Sequence, residues 1–178
     1  SLKKDFALPI KPIDLDGFKD KVDFNYGIWK KNNVRSHKVS GHSIVNISLT
    51  KLGTAPGDAT SEQMRILATL ADEFSSGEIR TTKRQTIVFP FVRKDQVFDL
   101  WKSLEQYDLS SPHQGTLAQI VACPGRDYCD LAKAVSIPIA TRVQQRFNDM
   151  NRLLDIGDLK INISGCENSC AHHHIADI

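Results

Sequence analysis

Four cysteines, and the two pairs into which they fall, constrain this chain more than any other feature. Cys123-Pro124-Gly125-Arg126-Asp127-Tyr128-Cys129 is a C-x5-C pair, and Gly165-Cys166-Glu167-Asn168-Ser169-Cys170 holds a C-x3-C pair. No other cysteine occurs in the 178 residues, so a single site can account for every thiol. A fold that uses them together must bring two distant segments side by side. Four thiolates are the ligand set of a [4Fe-4S] cluster, one for each iron. Residues i and i+4 lie one turn apart on one face of a helix, which predicts Cys166 and Cys170 at a helix start. Pro124 and Gly125 break the first pair into a loop that runs into a helix.

Other uses of four thiols are open at this point. Two disulfides have three connectivities. The chain is not cysteine-rich, however, and is long enough to form a core without staples. A structural zinc site is the closer rival, because tetrahedra of four thiolates are common and His172, His173 and His174 lie nearby. Zinc knuckles favour C-x2-C or C-x4-C spacings, which neither pair has. Four unrelated buried thiols would show no pairing.

Periodicity supplies the frame around the cysteines. Residues 1 to about 40 contain Pro9, Pro12 and Lys-Asp alternations without a sustained period, which predicts an arm or linker. Val45, Ile47 and Leu49 alternate with polar residues as a half-buried strand. Thr60 with Gln63 forms a capping box, and Met64, Leu67, Ala68, Ala71 and Phe74 stripe the helix that follows. Gly77 ends it. Ile79 to Thr81 and Ile87, Phe89, Phe91 predict two more strands, the latter kinked or placed at an edge by Pro90. Val97, Leu100, Trp101 and Leu104 stripe a second helix. Thr116 to Val121 predicts a strand ending at Cys123, which completes a β-α-β-β-α-β split unit.

Beyond the first cysteine pair, Val143, Phe147, Met150 and Leu154 predict one long helix closed by Gly157. Leu159, Ile161 and Ile163 alternate as the strand that delivers Cys166 and Cys170. Both pairs are thus expected beyond strand ends at helix N-termini, where backbone N–H groups and the helix dipole stabilise an anionic cluster. The expected fold class is α+β. A ferredoxin-like half-domain spans 41–112, an α/β cluster-binding segment spans 113–178, and the arm occupies 1–40.

Composition narrows the setting. Apolar residues are 40% and charged residues 25%, ordinary globular usage that allows a packed core. The apolar runs are a few residues long, far short of a membrane span. These features predict a soluble, cytoplasmic domain. A net charge of +2 gives no bulk attraction for nucleic acid. Two local basic groups stand out, Lys30-Lys31-Arg35-Lys38 and Arg80-Lys83-Arg84. Such groups are commonly solvated surface.

The C-x5-C followed by G-C-x-N-x-C resembles the cluster signature of the sirohaem-dependent sulfite and nitrite reductases. Gly53-Thr54-Ala55-Pro56-Gly57-Asp58-Ala59-Thr60, Gly77-Glu78-Ile79-Arg80-Thr81-Thr82 leading to Gln85, and Ile161-Asn162-Ile163-Ser164-Gly165-Cys166 resemble that family in order and spacing. The likeness runs from about Trp29 to the last residue. It implies one of the family's two pseudo-symmetric repeats, the second, which carries the cluster. No internal repeat is visible in this chain. The sequence stops at Ala171-His172-His173-His174-Ile175-Ala176-Asp177-Ile178 without a stop signal, so a fragment of a longer polypeptide is expected.

The resemblance implies two cofactors and a division of labour. Cys123, Cys129, Cys166 and Cys170 would bind the [4Fe-4S] cluster, with Cys170 also ligating the sirohaem iron. Sirohaem carries eight carboxylates, so cations and hydrogen-bond donors are needed at its rim. Arg80, on the G-x-x-R-x-T strand, is the leading candidate. Thr82, Lys83, Arg84 and Gln85 are weaker ones, since alternating strand residues cannot all face one side. Asn168 could bond a cluster sulfur or a cofactor edge, or else face solvent. The implied activity is the six-electron reduction of sulfite to sulfide or nitrite to ammonia, fed by a flavoprotein or ferredoxin. Much of the rim and the positive substrate pocket would come from the first repeat, so this piece alone is expected to be inactive. A stand-alone iron–sulfur electron-transfer or cofactor-scaffold module is the alternative, and a zinc-stabilised binding domain a third.

Overall fold

A computed structural model describes residues 24–178. The helices are α1 (Phe24–Asn33), α2 (Ser61–Phe74), α3 (Val97–Glu105), α4 (Ile137–Arg146) and α5 (Met150–Ile156). The strands are β1 (Val34–Ser36), β2 (His42–Ser48), β3 (Arg80–Thr81), β4 (Thr86–Arg93), β5 (Val121–Ala122) and β6 (Asn162–Ile163). The expected β-α-β-β-α unit is β2-α2-β3-β4-α3. Its sheet has the order β1-β2-β4-β3 with every neighbouring pair antiparallel.

Alternation on β2 sends Val45 and Ile47 into the core directly opposite Phe89 and Ile87 of β4. These β-branched and aromatic cross-strand pairs are what stabilises a sheet face. α2 begins where the capping box predicts. The Thr60 hydroxyl accepts from the Gln63 N–H at 3.1 Å, and the Gln63 side chain accepts from the Thr60 N–H at 3.0 Å. Its buried stripe is Leu67, Leu70, Ala71 and Phe74, whereas Met64 and Ala68 face outward. Turning the helix this way buries the larger Leu70 in place of Ala68, which removes more apolar area from water. α3 buries Val97, Leu100, Trp101 and Leu104, as its stripe predicts.

Pro90 lies inside β4, an interior strand and not an edge. The β2–β4 register shifts between Ser43 and Val45, so Pro90 falls at the bulge. On the other side β3 pairs only with Ile87 and Val88. Neither neighbour calls on the N–H that proline lacks.

The expected arm over 1–40 needs correction. Pro9 and Pro12 lie outside the described residues. From Phe24 onward the chain is folded, first as α1 and then as β1 paired with β2. Trp29 is 0% exposed, and Tyr26 packs edge-on to Phe98 at 5.0 Å and beside Trp101 at 5.3 Å. Asn33 is also buried and donates to the Asn46 and Ser111 carbonyls at 3.0 Å each. A stripe of Tyr26, Trp29 and Asn33 has helical spacing, but its polar member hides it from a purely apolar count.

The second unit also departs from expectation. Within 116–121, only Val121 is strand. Residues 116–120 run as turns, with the Thr116 hydroxyl donating to the His113 carbonyl at 2.9 Å. β5 does not join the four-stranded sheet, whose outer strands are β1 and β3. It pairs in parallel with β6, Val121 opposite Asn162 and Ala122 opposite Ile163. The crossover between them is two helices, not one. Asp149 accepts from the Arg152 N–H at 2.9 Å and starts α5 afresh, so Leu153 is buried and Leu154 exposed. One small core joins Leu117, Ala118 and Leu153, and another joins Ile120, Ala122 and Ala140. Among the described residues no helix is long and apolar enough to cross a membrane.

Trp29→Ala tests the place of α1. Emptying a fully buried indole site is expected to cost about 3–5 kcal/mol, read as a lowered urea midpoint. A residue on an exposed arm would change stability by no more than about 0.5 kcal/mol.

Candidate metal centre and the groove beside it

The first cysteine sits at the end of β5 and the third two residues past Ser164, just after β6. Because these strands pair in parallel, both loops leave the same end of the small sheet. Cys123 N–H donates to the Ile163 carbonyl at 3.1 Å, which extends the ladder up to the first thiol. The loops then close on each other. Lys133 and Ala134 N–H groups both donate to the Gly165 carbonyl, at 2.9 and 3.0 Å, and Arg126 N–H donates to the Ala134 carbonyl at 3.0 Å. A Cβ on Gly165 would stand 2.6 Å from the Ala134 oxygen, and one on Gly125 would collide with the Ser136 hydroxyl. Glycine is required at both because the backbones themselves are in contact.

The Cys123 thiol lies inside this seam. Gly165 N–H donates to its sulfur at 3.1 Å, and the Ser136 hydroxyl lies 3.5 Å from the same atom while donating to the Cys123 carbonyl at 2.6 Å. Burial pushes the thiol pKa up. The Ser136 hydroxyl and backbone N–H groups, those of Gly165 and Gly125 among them, outweigh this and bring it below the ordinary thiol value. Hydrogen bonds to sulfur of this kind are also a lever on the potential of a thiolate-bound cluster.

The helix-start expectation fails for both pairs. Cys123 leads into a single 3-10 turn, Gly125–Asp127, and Cys166 to Cys170 is a turn without helix. Ser169 and His172 take left-handed backbone, φ +54° and +55°, which breaks any helix across the motif. The N–H groups aimed at sulfur therefore come from loop backbone. Cys123 is buried, Cys129 and Cys166 are half-buried, and Cys170 is exposed. Among the described residues no three His, Cys, Asp or Glu side chains gather as a metal-holding group. The donor set fits a four-iron cluster in kind and number, on two loops already joined, although the side chains are not drawn to a common point. His172, His173 and His174 do not join the cysteines. The His173 and His174 rings lie 4.0 Å apart between centres, tilted by 46°, on the turn His173–Ile175.

Beside the first loop opens a groove of about 750 Å³, walled by the Pro56–Ala59 loop, Met64, Thr82, Gln85, Pro124 and Tyr128. That volume is in the range of small-molecule and cofactor sites. Among the described residues its one charged lining residue is Asp58. Tyr128, 82% exposed, stands at its rim.

Known proteins resemble this chain in sequence and fold. The nitrite/sulfite reductase ferredoxin-like half domain matches residues 50–107. Sulfite reductase (ferredoxin) 2 of Mycolicibacterium paratuberculosis is 30% identical over 136 residues, 73% of this chain and 24% of that protein. The chloroplastic ferredoxin–nitrite reductase of Spinacia oleracea is 29% identical over 155 residues, 84% of this chain and 25% of that one. The solved structure of the Mycobacterium tuberculosis NirA protein aligns with a TM-score of 0.57 at 28% identity, over 83% of this chain and 26% of the other. The chain belongs to the nitrite/sulfite reductase family. It spans about a quarter of the length of these relatives.

Within this member of the family, the residues expected at a sirohaem rim have separate fates. Arg80 is exposed on β3, paired with Glu78 at 2.5 Å and lying over the Phe91 ring at 5.7 Å. Thr82 ties its own turn, sharing a hydrogen bond with the Thr86 hydroxyl at 2.8 Å and accepting from Arg84 N–H at 3.1 Å. Gln85 is bonded to the Ala122 backbone in both directions, at 2.8 and 3.0 Å. Asn168 is exposed in the turn between Cys166 and Cys170. Arg84, one of the weaker candidates, has the more telling environment. Its Nε and one terminal nitrogen are buried without a hydrogen-bond partner among the described residues. Buried donors are normally paired, so this guanidinium has unused capacity for an anionic group. Ser136 carries no sequence signal at all, whereas Gly165 was visible as the residue preceding Cys166.

The depressed Cys123 thiol gives a signed prediction. A group that loses its proton more readily when folded contributes stability above its unfolded pKa, and that contribution is lost as pH falls through the folded value. In a metal-free variant with the other three cysteines replaced by alanine, thiolate absorbance should rise at a pH below the ordinary thiol pKa of about 8.5. Ser136→Ala should move the rise upward by removing the largest of the favourable hydrogen bonds.

Proposed function

We propose that this chain is the cluster-bearing part of a sulfite or nitrite reductase. Cys123, Cys129, Cys166 and Cys170 would hold a [4Fe-4S] cluster beside sirohaem. The observation that carries this reading is the glycine-lined seam, which joins the two cysteine loops at the end of one parallel strand pair. Bound together, the two cofactors would deliver electrons singly to an oxyanion that takes up six.

The chain's own groups divide the remaining work. Cys170 is the exposed thiol of the four, which suits it to reach outward and link cluster and sirohaem. Asn168 projects from the same turn and can donate to a sulfur or to a carboxylate edge. Arg84 supplies unpaired N–H donors for a sirohaem carboxylate, with Arg80 as a more peripheral cation. Thr82 and Gln85 hold the backbone on which these stand. The ferredoxin-like half-domain, 41–112, would support the cluster-binding half-domain, 113–178. Among the described residues the groove wall offers no cation, so the positive pocket for sulfite or nitrite would come from the first repeat. Ferredoxin fits as the donor, since relatives carry it in their names, and a flavoprotein would serve the same chemistry.

That no described residue lining the groove is a cation gives the stand-alone electron-transfer module its one specific support. Anaerobic purification of the longer gene product separates the readings. The reductase predicts about four irons and four acid-labile sulfides per chain together with chlorin bands. The module predicts the cluster without chlorin, and a colourless zinc protein defeats both. The 178-residue chain, loaded with both cofactors and supplied with reduced dye, is expected not to sustain turnover of either oxyanion. In the full-length protein, Cys170→Ser should abolish electron transfer to the haem; unchanged spectra and turnover would remove its linking role.

The two arginines are expected to differ in the full-length protein. Arg84→Ala removes a buried charge-assisted donor and should weaken sirohaem retention by on the order of 1–3 kcal/mol, with iron and sulfide unchanged. Arg80→Ala should matter less, because its guanidinium is exposed and already paired. Chlorin content after gel filtration measures both.

A further inference from the structure

The backbone at Gln85 is left-handed, with φ +56°. Glycine, asparagine and aspartate are the residues that tolerate this conformation, and a longer side chain there is strained. A local strain is retained where the surroundings over-determine it, and here they do. The Gln85 amide donates to the Ala122 carbonyl at 2.8 Å, and its oxygen accepts from the Ala122 N–H at 3.0 Å. This two-way contact has the pattern of one residue of a neighbouring strand. Val121 and Cys123 N–H groups donate to Ile161 and Ile163 on the β6 side, at 3.1 Å each. The intervening residue, Ala122, has its polar groups turned to the opposite edge, where Gln85 meets them. The Gly57 loop closes behind it, since a Cβ on Gly57 would stand 2.8 Å from the Gln85 Cβ.

We propose that Gln85 is a positioning residue for the first cysteine loop. Its amide acts as a one-residue strand on the free edge of β5 and holds Ala122, and with it Cys123, against the ferredoxin-like half-domain. Length is what the position uses. Asparagine would suit the backbone better but falls one methylene short of Ala122. The role of Cys123 as a cluster ligand rests on the function proposed above, whereas the tie to Ala122 does not.

Hydrogen exchange across the 178-residue chain reads the tie directly. Gln85→Asn should speed exchange of the Ala122 N–H by about tenfold or more, the loss of two ordinary hydrogen bonds. The Val121 and Cys123 amides, bonded to β6, should change less. Gln85→Glu should restore part of the Ala122 protection, because a carboxylate oxygen still accepts from that N–H. In the cluster-loaded chain, Gln85→Asn should shift the midpoint potential and the electron paramagnetic resonance signal while iron and sulfide contents stay constant. Unaltered Ala122 exchange in the asparagine variant overturns the proposal, as does faster exchange spread evenly over the whole chain. An unmoved potential in a fully loaded variant overturns the positioning role as well. A chain that shows the Ala122 effect but takes up no iron supports the tie and defeats the cluster reading instead.

Discussion

The parallel pairing of β5 with β6 is the contact on which the site depends. It consists of two residue pairs, extended at its end by the hydrogen bond from Cys123 to Ile163. A ladder this short has little stability of its own. It persists because each side is held independently: α4 packs Ala140 against Ile120 and Ala122, α5 brings Leu153 to the Leu117–Ala118 corner, and Gln85 covers the outer edge. Parallel pairing has a further consequence. Strands that run the same way deliver their following loops to the same end, which is why two cysteine pairs far apart in sequence meet at one seam.

That seam replaces helix dipoles with loop amides. The 3-10 turn after Cys123 is too short to carry a useful macrodipole, and the second pair has no helix. What the chain supplies is a set of individual N–H groups, with Gly165 aimed at the Cys123 sulfur and Lys133 and Ala134 at the Gly165 carbonyl. The closeness of the two glycine backbones makes this geometry available. Any side chain at either position would separate the loops by several tenths of an ångström and leave the thiol without its donor. The Lys133–Glu167 ion pair across the same loops is 3.6 Å long and fully exposed, so it contributes little beside these contacts.

Signals that are local in sequence were legible in it. The capping box at Thr60, the α3 stripe and the β2 alternation each depend on residues within one turn or strand. The cysteine pairing was legible for the same reason. What escaped depends on distant partners. α1 is held by Tyr26 and Asn33 reaching α3 and the segment around Ser111, and β1 exists because β2 offers it an edge. The break between α4 and α5 is made by Asp149 capping a fresh helix, which an apolar stripe passes over. Gln85 reads as a cofactor ligand from its motif and becomes a structural tie only when Ala122 is seen beside it. Ser136 acts through a thiol thirteen positions away and has no motif to announce it.

The distribution of charge bears on how complete the site is. A ligand with many carboxylates needs cations around its perimeter, and among the described residues the groove next to Cys123 presents Asp58 as its one charged lining residue. Arg84 is not part of that wall; its unpaired nitrogens are buried elsewhere in the turn after β3. With a net charge of only +2, the chain has no general positive field to make up the difference. A polyanionic cofactor resting in this groove would therefore meet an apolar floor and few counter-charges from this side. Cations for such a ligand would have to come from outside this wall, and Arg84, with its unpaired donors, is one candidate in this chain.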